Sequence, residues 1–173
     1  MEILENIEQW EEQYNESWLA HYLATGKPDW SQYHHPRNEA VPGVPGVRLA
    51  ESRLMVISTA GAYIPGEQTP FDAPNLMGDY TLRTFPSDFD LARLAFAHEH
   101  YDHAMINEDV DVALPLSLLA EMVEAGQIGR LTPSVVSISG YHPNSAQVVR
   151  EVAPKVVAIA REEGTNAALL APM

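Results

Sequence analysis

Val135-Val136-Ser137-Ile138-Ser139 opens the stretch of sequence on which the fold turns. It is a short, β-branched apolar run closed by Gly140-Tyr141-His142-Pro143, which predicts a strand running into a turn. Val148, Val149, Val152, Val156, Ile159 and Ala160 then recur at helical spacing, so Ser145 to Glu163 predicts a helix that Gly164 ends. Ala167 to Leu170 returns to strand. Strands alternating with helices argue for an α/β fold, with a largely parallel sheet and flanking helices.

Working outward, Pro115 opens a helix that runs to Ala125 and stops at Gly126. Arg53 to Ser58 predicts a strand entering the turn Thr59-Ala60-Gly61, and Thr81 to Phe85 predicts another. Between them, Ala62 to Gly78 is a long loop, and loops of more than about 12–15 residues inside compact domains often carry function. The apolar run Leu91 to Ala97 reads as a further strand. Ile3, Ile7, Trp10, Tyr14, Trp18 and Tyr22 recur at steps of three and four, predicting an amphipathic N-terminal helix over 3–24 with its aromatic stripe turned to core or to a subunit contact. A Pro/Gly-rich arm follows, so the expected division is 1–47, helix and arm, and 48–173, an α/β domain.

At 173 residues the chain is long enough for one domain with a real core. Twenty-four acidic against ten basic residues give a formal charge of -14, which repels phosphate backbones and anionic membranes and argues against nucleic-acid binding. No apolar run approaches the ~18 residues needed to span a bilayer, and the acidic N-terminus is unlike a signal peptide. A cytoplasmic protein is expected. With zero cysteines, disulfides, thiolate metal sites and a Cys nucleophile are absent from these residues.

His98-Glu99-His100-Tyr101-Asp102-His103 holds three of the seven histidines and two carboxylates. Neutral imidazole and carboxylate are the ligands that zinc and related divalent ions prefer. His98, His100, Asp102 and His103, with His142 joining in space, are therefore candidate ligands for zinc or another divalent metal. The pattern H-x-H-x-D-H resembles the motif of the metallo-β-lactamase superfamily, which implies a metal-dependent hydrolase; downstream, only His142 follows.

A longer resemblance rests on Glu51 to Gly61, Gly78 to Ser87, His98 to Leu116 continuing in Leu118-Leu119 and Gly126 to Gly129, and Ala153 to Pro172. In order and spacing these segments, over roughly 48–173, resemble the selenoprotein B family of glycine, sarcosine, betaine and D-proline reductases. The resemblance implies an oxidoreductase subunit that cleaves a C–N bond of a small amino acid or amine. It also implies a pyruvoyl partner subunit, a thioredoxin-like electron donor, assembly into a homo- or hetero-oligomer, and a selenocysteine or cysteine directly after the strand matching Ala167 to Ala171. The expectation is then that Met173 precedes an in-frame UGA read as a stop. Against that chemistry, His98, His100 and His103 are candidate proton donors to the leaving amine. The strand-end residues Thr59, Ala60 and Gly61 offer backbone N–H groups to a substrate carboxylate, and Arg83 offers a bidentate partner. A non-catalytic interaction subunit is the remaining reading, motivated by the missing nucleophile and the aromatic helix.

Overall fold

The computed structural model describes residues 5–37, 46–99 and 102–173; part of the expected arm (38–45), His100 and Tyr101 lie outside the described residues. The N-terminal segment is helical from Ile7. Helix α1 (Ile7–Tyr14) passes through a π turn (Asn15–Leu19) into α2 (Ala20–Thr25), and Gly26 ends it in the left-handed conformation at φ 67°. Within the π turn, the Ser17 hydroxyl donates to the Gln13 carbonyl at 2.6 Å, the back-bonding to the preceding turn that bends helices. The aromatic stripe is core: Trp10, Tyr14 and Trp18 are buried and stack face to face with centroids 5.1 and 5.5 Å apart, on Ala146 and Met77. Each such buried side chain contributes roughly 1.5–3 kcal/mol. Glu11 and Arg150, a bidentate pair at 2.6 Å, add a second tie to the helical segment that precedes the last strand.

The sheet is built on β1 (Arg53–Ser58), whose Met55 and Val56 are buried on opposite faces. A two-residue strand β2 (Ala62–Tyr63) and β3 (Leu82–Pro86) follow. The predicted strand over Leu91 to Ala97 is instead a 3₁₀ turn (Leu91–Arg93) and a two-residue strand β4 (Ala95–Phe96) paired antiparallel with β2 in a separate ribbon. Asp90 causes this: its carboxylate accepts from the Ala92 N–H at 3.1 Å and caps the turn, leaving Leu91, Leu94 and Phe96 packed on the core without joining the main sheet.

Two helices, α3 (His103–Glu108) and α4 (Leu116–Glu124), lead to β5 (Arg130–Leu131) and β6 (Ser134–Ile138). The predicted helix from Ser145 is continuous but not uniform: α5 (Ser145–Gln147), a π turn (Val148–Val152) and α6 (Ala153–Glu162). Pro154 at the start of α6 has no N–H to give the preceding turn, which accounts for the wider winding there. Strand β7 (Ala167–Ala171) closes the chain's path.

β1 is the centre, parallel to β5 and β6 on one side and to β7 on the other; β3 lies antiparallel on β6. The fold is α/β, a mostly parallel sheet with flanking helices and an N-terminal helix. The main core sits between the sheet and α4, from Leu54, Val56, Phe85 and Val135 to Leu116 and Leu119. Because β1, β6 and β7 run the same way, Ser58, Ile138 and Ala171 finish at one end of the sheet. That end carries the turns in which parallel α/β sheets place their sites.

Candidate functional site

At the end of β1, the turn Thr59-Ala60-Gly61 is fully engaged. The Thr59 N–H donates to the Ala171 carbonyl at 3.1 Å, the Ala60 N–H to the buried Ser58 hydroxyl at 3.2 Å, and the Gly61 N–H to the Ile138 carbonyl at 3.1 Å. Of these N–H groups, expected to meet a substrate carboxylate, those of Thr59 and Gly61 join β1 to β7 and β6, and that of Ala60 is taken by Ser58. Gly61 has φ 69°, and a Cβ there would stand 2.4 Å from the Ala97 carbonyl oxygen, so backbone passes directly over it. The Thr59 hydroxyl accepts from the Met173 N–H at 2.8 Å and donates to the Met173 carbonyl at 3.3 Å, which ties down the chain as it leaves β7.

His98 follows β4, and His103 reaches back to it. His98 is buried, and its carbonyl accepts from His103 Nε2 at 2.6 Å; since a carbonyl only accepts, that nitrogen carries the proton. Asp102 caps α3 by accepting from the Ala104 N–H at 2.9 Å. His100 lies outside the described residues. Among the described residues no three His, Asp or Glu side chains converge on a metal position. His142 is held elsewhere: its Nε2 donates to the Asp79 carbonyl at 2.9 Å and its ring lies 5.0 Å from that of Tyr80. Burial lowers the His142 pKa, against the opposing pull of Asp79, and favours the neutral ring.

Arg83 is likewise committed. Its guanidinium donates to the Thr69 carbonyl at 2.8 Å, the Thr81 hydroxyl at 2.7 Å and the Leu82 carbonyl at 3.0 Å, and stacks 4.4 Å above the Phe71 ring. It pins the long loop to the sheet edge. Asp79 does the same from the other side, accepting from the Asp72 and Thr81 N–H groups, each at 2.9 Å. Burial acts to raise its pKa, but the Thr81 hydroxyl, these two N–H groups and Arg83 outweigh it and hold the carboxyl below the usual range.

What the structure does bring together lies at the end of β6. Gly140 is exposed, and a Cβ built on it would stand 2.7 Å from His98 Nε2, 3.0 Å from the Met173 carbonyl and 3.1 Å from the Thr59 carbonyl. The bare backbone of Gly140 thus lies over His98, and any side chain there would crowd its ring. Gly140 is also in the wall of an open cleft of about 270 Å³, shared with Trp30, Tyr33, His35, Tyr141, His142 and Pro143. Asp29 positions Trp30 by capping its 3₁₀ turn (Trp30–Gln32), accepting from the Ser31 N–H at 3.0 Å. The Tyr33 hydroxyl donates to the Pro143 carbonyl at 3.0 Å and that of Tyr141 to the Leu76 carbonyl at 3.0 Å. Burial pushes the Tyr141 phenol up to about 12, so at neutral pH it carries no charge.

Gly140, Trp30, Tyr33 and Tyr141 were missing from the residues expected from sequence. The strand-end rule that pointed to Thr59-Ala60-Gly61 applies equally to Gly140-Tyr141, so that half was within reach. Trp30 and Tyr33 come from the opposite end of the chain and carried no such signal.

The fold is an α/β domain in which β1, β6 and β7 finish at one end, with the cleft beside Gly140. Among families of known proteins, residues 24–172 match the one described as glycine/sarcosine/betaine reductase selenoprotein B. The chain belongs to this family and is a reductase subunit of the selenoprotein B type. The match reaches well N-terminal of residue 48 and takes in Trp30 and Tyr33. Comparisons with curated proteins and with solved structures found no match. Among the described residues, no helix is long and apolar enough to cross a membrane.

Proposed function

We propose that this chain supplies the substrate-facing part of a reductase that cleaves the C–N bond of a small amino acid, with His98 as the group that protonates or hydrogen-bonds the leaving amine. The observation carrying this reading is the convergence on Gly140: His98 Nε2, the Thr59 carbonyl and the Met173 carbonyl all approach one bare backbone position. In this chemistry a selenolate or thiolate attacks the carbon α to the carboxylate, the C–N bonding pair leaves with the amine, and the amine takes a proton. A thioredoxin-like dithiol then supplies two electrons and a proton: the new bond from selenium or sulfur to carbon breaks, the carboxylate fragment leaves carrying a C–H in its place, the nucleophile is restored and the dithiol becomes a disulfide. The 173 residues hold no cysteine, so the nucleophile comes from outside them.

The division at residues 1–47 and 48–173 belongs to the same proposal, with the first segment sharing in the site through Trp30 and Tyr33. A pyruvoyl partner subunit, oligomeric assembly and a cytoplasmic location follow from the family's chemistry as part of this reading. For metal hydrolysis the described residues offer no support, since Asp102 is a helix cap and His103 is bonded to the His98 carbonyl.

The test is a reconstituted assay of this chain with the pyruvoyl partner, a dithiol and a selenol- or thiol-bearing subunit of the same reductase. Amine release from glycine, sarcosine, betaine or D-proline, lowered at least about tenfold by His98→Gln, is the expected result. Release unaffected by that substitution, or none from any of the four, would overturn the reading.

A further inference from the structure

The cleft above Gly140 has a composition that selects among amines. Trp30 meets Tyr33 at 5.7 Å and 68°, and Tyr141 at 6.1 Å and 83°, so the three rings form a steep-sided corner. His35 meets Tyr33 at 5.2 Å and 77°. Among the described residues, no Asp, Glu, Lys or Arg lines this cleft. His142 is kept neutral by burial and adds no positive charge to repel a cation.

A primary ammonium has three N–H groups that demand acceptors, and a wall of rings leaves them poorly satisfied. A fully alkylated ammonium has no N–H to satisfy, and aromatic faces attract its charge through their quadrupoles while its methyl groups pack against them. The chain's formal charge of -14 favours approach of the cation. Trp30 packs against the buried Trp18 ring, with centroids 5.2 Å apart, yet is 49% exposed, so part of its ring stays open to a ligand.

We infer that the cleft of Trp30, Tyr33 and Tyr141 is a binding site for a quaternary ammonium, with the rest of the ligand lying against Gly140 in the same wall. Among glycine, sarcosine and betaine, the amino acids in the family's description, this selects betaine. The inference rests on the proposed C–N chemistry for its location but makes a claim that equilibrium binding can read without turnover.

The experiment titrates the full chain with tetramethylammonium, betaine and glycine, followed by tryptophan fluorescence and calorimetry, and repeats this with Trp30→Ala and Trp30→Phe. Tetramethylammonium and betaine are expected to bind, with glycine weaker by about tenfold or more; Trp30→Ala weakens betaine by about tenfold and Trp30→Phe by less than about threefold. Circular dichroism confirms that both variants are folded, and their ring-against-no-ring contrast reports on the cleft itself. Equal affinity for glycine and betaine, no binding of either ammonium probe, or a Trp30→Ala variant that binds as the parent does would overturn the inference. Ammonium binding without reductase turnover would sink the catalytic reading and leave the cleft standing. Turnover of glycine by a protein that ignores tetramethylammonium would do the reverse.

Discussion

Two glycine-containing turns leave the same end of the sheet, and they do opposite work. After β1, Thr59-Ala60-Gly61 gives all three of its N–H groups to neighbouring strands and to Ser58, and Gly61 is there because the Ala97 backbone runs across it. After β6, Gly140 has no positive φ, is exposed, and lies bare over His98 in the wall of an aromatic cleft. The first glycine closes the structure and the second leaves it open. The strand-end rule points to both turns alike; they differ in that the first spends its N–H groups on neighbouring strands and on Ser58, while the second is exposed in the wall of the cleft.

That contrast can be broken from either side. Gly61→Ala has the largest expected effect: a Cβ 2.4 Å from a carbonyl oxygen at φ 69° should lower unfolding free energy by about 3 kcal/mol or more, read from a urea midpoint. A loss below about 1 kcal/mol would mean that Gly61 is not a structural requirement. For Gly140→Ala the balance reverses. The displaced His98 ring should cost substrate turnover about tenfold or more, with a stability loss of only about 1–2 kcal/mol. Normal turnover there would separate Gly140 from the site.

Thr59→Val comes next. Loss of the two hydroxyl bonds to Met173 should cost about 1 kcal/mol and speed amide exchange at Met173, while Thr59→Ser restores protection. Smallest is the pH response. His142 resists protonation in the folded chain, so below its ordinary value of 6.5 the unfolded chain binds more protons and stability falls as pH drops. Asp79, also depressed, adds a loss of the same sign below 3.8. A pH titration of the unfolding midpoint should show the upper limb flattened by His142→Gln.

Much of the fold was legible because it is local. The valine spacing from Val148 to Ile159 and the glycines at 26, 126 and 164 mark helices without reference to anything distant. Leu91 to Ala97 misled for an equally local reason: Leu91 and Leu94 are three apart, one 3₁₀ turn, and the Asp90 cap favours that winding over a strand. The π turn before α6 hung on a single proline inside a strongly periodic helix. At the site, His98 was evident from the density of histidines around it. The cleft was not, because Tyr33 and Pro143, joined by one hydrogen bond, are 110 residues apart, and no periodicity connects them.

The most direct test of which turn works is to follow backbone amides and tryptophan indoles by NMR while betaine is added to the full chain. The account predicts shifts concentrated at Gly140, Tyr141 and the Trp30 indole, with Thr59, Ala60 and Gly61 little changed. Shifts centred on Thr59-Ala60-Gly61 and Arg83, with Gly140 and Trp30 unmoved, would contradict it.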